Sequence, residues 1–142
     1  MIRRNKDEGF TLIELLLVLA IMGIISGIAI PAFLSQRHRA RLIGDAQSNA
    51  QVLRMQLETY KADTGLYGAS AGATYAWTAG GVVTGGGSVI NFSPKGNTNM
   101  NYKVVVAGQG LTYTLSVIDP SLGSSYVIFS TNQNGSGTIH KY

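Results

Sequence analysis

Near the start of the chain the apolar positions are continuous rather than periodic. Residues 15–34 are twenty in a row without a formal charge, and at about 1.5 Å rise per residue they match a bilayer hydrocarbon core of roughly 30 Å. The run reads as a membrane-spanning helix. A secretory signal peptide competes for the same stretch, because MIRRNK forms a basic leader, yet the apolar run exceeds the usual core of about 7–15 residues and no A-x-A site closes it. Lysine and arginine number three on each side (Arg3, Arg4 and Lys6; Arg37, Arg39 and Arg41), so the positive-inside count leaves orientation unassigned.

Beyond Pro31 the pattern changes period. Ala40, Ile43, Ala46, Ala50, Leu53, Leu57 and Tyr60 recur at steps of three and four, one apolar stripe on a helix. Arg41, Asp45, Gln47, Asn49, Gln51, Arg54 and Glu58 fill the remainder, so this half packs its stripe on a sheet while the first half protrudes. Asp63-Thr64-Gly65 closes the helix, with Gly65 as the C-terminal cap. From 10 to 61 it measures roughly 78 Å, a length that no small domain buries.

Residues 65–87 are rich in Gly, Ala, Ser and Thr without helical period. They read as a long surface loop with room for short strands, in which Tyr75 and Trp77 either anchor the loop or present a recognition surface. Strand signals follow at 89–92, 102–107, 112–118, 126–131 and 138–141, separated by turn residues such as Asp119-Pro120 and Asn134-Gly135. Tyr113, Leu115 and Val117 alternate with Thr112, Thr114 and Ser116, giving one face to the helix and one to solvent. The fold class is α+β: a long N-terminal helix and a consecutive antiparallel meander.

The 142 residues leave room for one domain and an appendage. The formal charge of +4 is a mild excess concentrated at both ends of the apolar run; it suits anionic headgroups, and the C-terminal half has no basic stripe interleaved with aromatics, so no nucleic acid partner is expected. Cysteine is absent, and His38 and His140 stand alone, so no metal site is expected. No phosphate-cradling motif occurs and no catalytic set converges, so neither a cofactor nor an enzyme activity is expected. Asp119 reads as a turn residue.

Two features of the apolar run invite explanation. Gly23, Ser26, Gly27 and Pro31 weaken the helix, since glycine costs roughly 1 kcal/mol in a helix interior and proline about 3. Glu14 is the one charge in residues 10–34. A carboxylate in the bilayer costs about 2.5–3.5 kcal/mol on insertion scales unless it is interfacial or paired, and the span contains no cation.

A basic leader ending in glycine, followed by Gly9-Phe10-Thr11-Leu12-Ile13-Glu14-Leu15-Leu16 and a long apolar run, resembles the class III signal of type IV pilins and of the pseudopilins of type II secretion. The resemblance covers about the first fifty residues. It implies a leader, 1–9, that prepilin peptidase removes between Gly9 and Phe10 before methylating the Phe10 amine. That amine supplies a cation for Glu14; Phe10 and Glu14 share one helix face, so the pair is open to either its own chain or another, and in the family this acid attracts the N-terminus of a neighbouring subunit. Thr11 and Glu14 are thus assembly residues, and Gly23 and Pro31 bound a segment that melts in the filament.

The implied organisation is leader 1–9, membrane and filament-core helix 10–34, amphipathic helix half 35–62, variable loop 63–87 and sheet head 88–142. The implied function is a structural subunit polymerising into an extracellular pilus, with other pilin subunits, prepilin peptidase, the inner membrane and the pilus assembly machinery as partners. The implied location is the inner membrane before assembly and the filament after it. A pseudopilin or minor pilin is the alternative within the family. An uncleaved membrane-anchored adhesin is the alternative outside it, and leaves Gly9-Phe10 with Glu14 unexplained. Many family members fasten the C-terminal loop with a disulfide; without cysteine, this head closes it by hydrogen bonds and packing alone.

Overall fold

A computed structural model describes residues 9–68, 72–78, 83–84, 90–96, 99–123 and 125–140. Residues 1–8 of the expected leader lie outside them, as do the expected strand residues Val89 and Lys141. The chain divides into two units, Met1–Arg39 and Ala40–Tyr142, and its elements form an α+β fold. Helix α1 spans Leu12–Thr64 with Pro31 inside it. Pro31 has no N–H to give the Gly27 carbonyl, a weakness that does not end the helix.

In the first unit every described residue is exposed. The helix is apolar on all sides from Leu12 to Leu34 except at Glu14 and the small or hydroxyl positions, the signature of a helix that must be covered by lipid or other helices.

In the second unit Ala46, Ala50, Leu53 and Leu57 are fully buried, and Ile43 and Tyr60 half-buried, along the expected stripe. Ala40 is exposed, so the buried stripe starts later than its spacing predicts. The helix ends as expected: Gly65 takes φ 86° and its N–H returns to the Lys61 carbonyl at 2.7 Å, a left-handed cap that glycine adopts without a Cβ clash.

Six antiparallel strands follow: β1 (Thr74–Trp77), β2 (Val83–Thr84), β3 (Asn101–Ala107), β4 (Thr112–Ile118), β5 (Val127–Asn132) and β6 (Gly137–Ile139). They lie in the order β2-β1-β3-β4-β5-β6. β3 to β6 form the expected meander. The segment before it holds the short strands for which the loop left room and carries one correction. Part of the expected loop, 63–87, is β1 and β2, and β1 pairs with β3 in the register Thr74↔Val105 to Trp77↔Tyr102. The strand expected at 89–92 is not one: its described residues 90–92 are irregular, although Ile90 and Phe92 are buried.

The reason is aromatic packing. Tyr75 and Trp77, alternate residues of β1, point into the core and are 2% and 1% exposed, which resolves them as anchors rather than a recognition surface. Phe92 meets Trp77 edge-on at 5.5 Å and Tyr102 at 5.2 Å, so it is held by rings rather than by a ladder.

On β4, Tyr113, Leu115 and Val117 face the helix stripe. The β4–β5 register slips between Val117↔Phe129 and Ile118↔Val127, leaving Ile128 as an extra residue, and the bulge allows the adjacent Ile128 and Phe129 both to be buried.

Candidate functional site

The residues singled out at the N-terminus meet at the first turn of α1. Gly9, Phe10 and Thr11 precede the helix, and Phe10 is 86% exposed. Thr11 is the N-cap. Its Oγ1 accepts the Glu14 N–H at 3.4 Å, while Glu14 Oε2 accepts both the Thr11 N–H at 2.9 Å and the Thr11 hydroxyl at 2.8 Å. This is a capping box, in which the N-cap and the third helical residue satisfy one another's main-chain donors. The first turn is closed by the Leu15 N–H on the Thr11 carbonyl at 3.3 Å.

The arrangement accounts for part of what Glu14 does. It holds a helix start in place, so the chain enters the helix at Leu12 and the Gly9–Phe10 peptide stays outside it. Both contacts use Oε2, and Oε1 carries no hydrogen bond among the described residues. Sequence reading missed the box, although Thr-x-x-Glu before an apolar run is its signal.

Gly23 and Pro31 are not at this turn; they lie in the interior of α1. A Cβ added at Gly23 would meet nothing within 4 Å. The structure therefore brings together Gly9, Phe10, Thr11 and Glu14, and leaves the two helix-weakening residues along the same element.

Two polar clusters in the second unit were not anticipated. Asn49, expected on the polar side of the helix, is 5% exposed. Its amide donates to the Lys95 carbonyl at 2.7 Å and to the Tyr102 hydroxyl at 2.9 Å, and its oxygen accepts the Lys95 N–H at 3.0 Å. At the helix end, the Tyr67 hydroxyl donates to Glu58 at 2.9 Å, Lys61 lies 4.4 Å over the Tyr67 ring, and Tyr67 meets Tyr113 edge-on at 4.7 Å. The Tyr67 N–H also reaches the Gly110 carbonyl at 2.8 Å, which ties the turn after the helix to the β3–β4 connection without a disulfide.

Burial first, then the Glu58 bond, pushes the Tyr67 phenol up to about 12. Burial pushes Tyr102 up to about 12 as well, against the opposing bond from Asn49. Asp119 is a turn residue: its Oδ1 accepts the Ser121 N–H at 2.9 Å and hydroxyl at 2.6 Å. Among the described residues no cluster of three His, Cys, Asp or Glu could hold a metal ion.

The family described as the prokaryotic N-terminal methylation motif matches residues 4–30. Fimbrial protein Q of Moraxella bovis is 46% identical over 44 residues, covering 29% of this chain and 28% of that protein. Fimbrial protein of Moraxella nonliquefaciens is 42% identical over 55 residues, 39% of this chain and 35% of that one. Type II secretion system core protein G of Pseudomonas aeruginosa is 31% identical over 65 residues, 46% of this chain and 45% of that one. The chain thus spans less than half the length of these curated relatives. No solved structure matches it. The similarity is thus to a methylation-motif model over residues 4–30 and to fimbrial and type II secretion proteins over less than half of this chain.

Proposed function

We propose that this chain is a pilin: a non-catalytic subunit that is cut between Gly9 and Phe10, methylated at Phe10, and polymerised through its apolar helix into an extracellular filament. The observation that carries the reading is the first turn of α1. An exposed Gly9-Phe10 pair stands outside the helix, and a carboxylate at its mouth keeps one oxygen unbonded among the described residues. Before cleavage residue 10 has an amide; after it, residue 10 has an ammonium. At 4 Å and an effective dielectric of 20, an ammonium–carboxylate pair is worth about 4 kcal/mol before desolvation. A lone carboxylate costs about 2.5–3.5 kcal/mol at the centre of a membrane helix and less at its edge, so cleavage makes the acid tolerable.

Filament assembly then transfers the apolar helix from lipid to the helices of other subunits. The pairing of Glu14 with a neighbour's Phe10 amine fixes axial register as each subunit leaves the inner membrane. In this reading Gly23 and Pro31 bound the part of the helix that unwinds, its freed carbonyls satisfied by surrounding helices. Prepilin peptidase and the pilus assembly machinery are the partners, and the filament outside the cell is the final location, with adhesion, motility or surface contact as its use. A pseudopilin of a type II secretion machine is the second reading, favoured by the core protein G relatives. Intact mass of the membrane-extracted chain tests the class: a mature chain beginning at methylated Phe10 is expected, and one retaining Met1 refutes it. Recovery of thousands of copies per cell in sheared fibres separates pilin from pseudopilin.

A further inference from the structure

Past Glu14 the helix carries no charge for 22 residues, 15–36, and then Arg37, His38 and Arg39 arrive together. All three are helical and exposed, and they end the N-terminal unit. We infer that these residues form a collar that binds anionic phospholipid headgroups and fixes the depth of the subunit in the bilayer before it is extracted. The inference rests on the reading that α1 spans a membrane.

Three observations carry it. The uncharged stretch is about 33 Å long at 1.5 Å per residue, so with Glu14 at one boundary of a core of roughly 30 Å, Arg37 emerges at the other. Successive helical residues turn by about 100°, so Arg37 and Arg39 stand some 200° apart and His38 between them. A protein partner laid along a helix reads one stripe, whereas a headgroup layer surrounds it; cations on opposite faces of one turn fit the layer. Finally, the sequence has no acid between Glu14 and Asp45, so the local charge is positive throughout the turn. Arginine suits the role because its stem lies along apolar surface while its planar fork bonds a phosphate through two N–H groups. Ser35, just below, donates its hydroxyl to the Ala32 carbonyl at 2.9 Å and needs no headgroup partner.

The test uses the full chain in vesicles. It contains no cysteine, so Gln36→Cys accepts a single donor fluorophore beside the collar. Energy transfer to acyl-labelled phosphatidylglycerol is compared with transfer to acyl-labelled phosphatidylcholine at equal mole fraction, with resistance to alkaline extraction measured in parallel. At about fivefold per arginine near an anionic surface, phosphatidylglycerol is expected to be enriched severalfold around the fluorophore. Arg37→Gln with Arg39→Gln should lower the ratio severalfold, Arg41 one turn on supplying what remains, and the paired lysine substitutions should keep most of it. Equal transfer to the two lipids, or enrichment unchanged by the double glutamine variant, in a chain that resists extraction overturns the collar alone. Loss of the chain on extraction overturns the membrane-spanning reading, and the collar with it.

Discussion

Replacing Asn49 by alanine removes three hydrogen bonds, one of them to a buried hydroxyl. The side chain is 5% exposed and clamps both main-chain groups of Lys95 while donating to Tyr102. Lys95 itself is exposed, so its freed N–H and carbonyl can turn to water, and the two bonds are worth about 0.5–1.5 kcal/mol each. The Tyr102 hydroxyl has no such escape, since Tyr102 is 1% exposed, and an unsatisfied buried group costs about 1–3 kcal/mol. The expected loss is about 2–6 kcal/mol, or roughly 10–30 °C in Tm for a folded unit of this size. Thermal unfolding of the full chain in detergent, followed by near-ultraviolet circular dichroism of the Trp77, Phe92 and Tyr102 rings, reads it. Ser48→Ala, at an exposed neighbour, should change stability by less than about 0.5 kcal/mol. A Tm for Asn49→Ala within about 3 °C of the parent would show that the clamp is replaceable and the reasoning wrong.

Other outcomes follow from the same geometry. Tyr67 and Tyr102 hold their protons to about 12 in the folded head against an ordinary value of 10. Between those values the unfolded chain binds fewer protons than the native one, so their contribution is complete below pH 10 and lost as pH rises through 12. A denaturant midpoint that stays flat from pH 9 to 12 would contradict this. Gly96→Ala should cost about 1–3 kcal/mol in the same unfolding assay, because φ is 107° and an added Cβ would lie 2.8 Å from an Asp45 oxygen; unchanged stability would mean the loop relaxes freely. Glu14→Gln should leave membrane insertion intact and abolish fibres, counted by electron microscopy of sheared material, and normal fibres from that variant would remove Glu14 from assembly.

Much of the fold is legible because its signals are local. The alternation of Tyr113, Leu115 and Val117 with hydroxyl residues locates β4 to the residue, and Gly65 marks the helix end because only a left-handed cap needs it. β1 is not legible in that way. Thr74–Trp77 is four residues in a Gly- and Ala-rich setting, and what makes it a strand is pairing with β3, more than twenty residues on. Residues 90–92 look like a strand by composition, yet their apolar side chains are held by ring contacts. Asn49 reads as solvent-facing because it is polar, yet it stands three residues after Ala46 and four before Leu53, at the edge of the buried stripe, where its amide meets Tyr102 and the Lys95 main chain. At the candidate site Gly9, Phe10 and Glu14 stand out by motif and by charge. The Thr11–Glu14 box is legible too, in the Thr-x-x-Glu spacing before the apolar run.

In the proposed assembly, cleavage creates an ammonium group to partner Glu14, and this pair registers subunits in a polymer. Cryo-electron microscopy of fibres sheared from cells producing this chain tests it most directly. The account predicts subunits beginning at Phe10, with each Glu14 carboxylate within ion-pair distance of a Phe10 amine; fibres built from this polypeptide with that carboxylate remote from every such amine would contradict it.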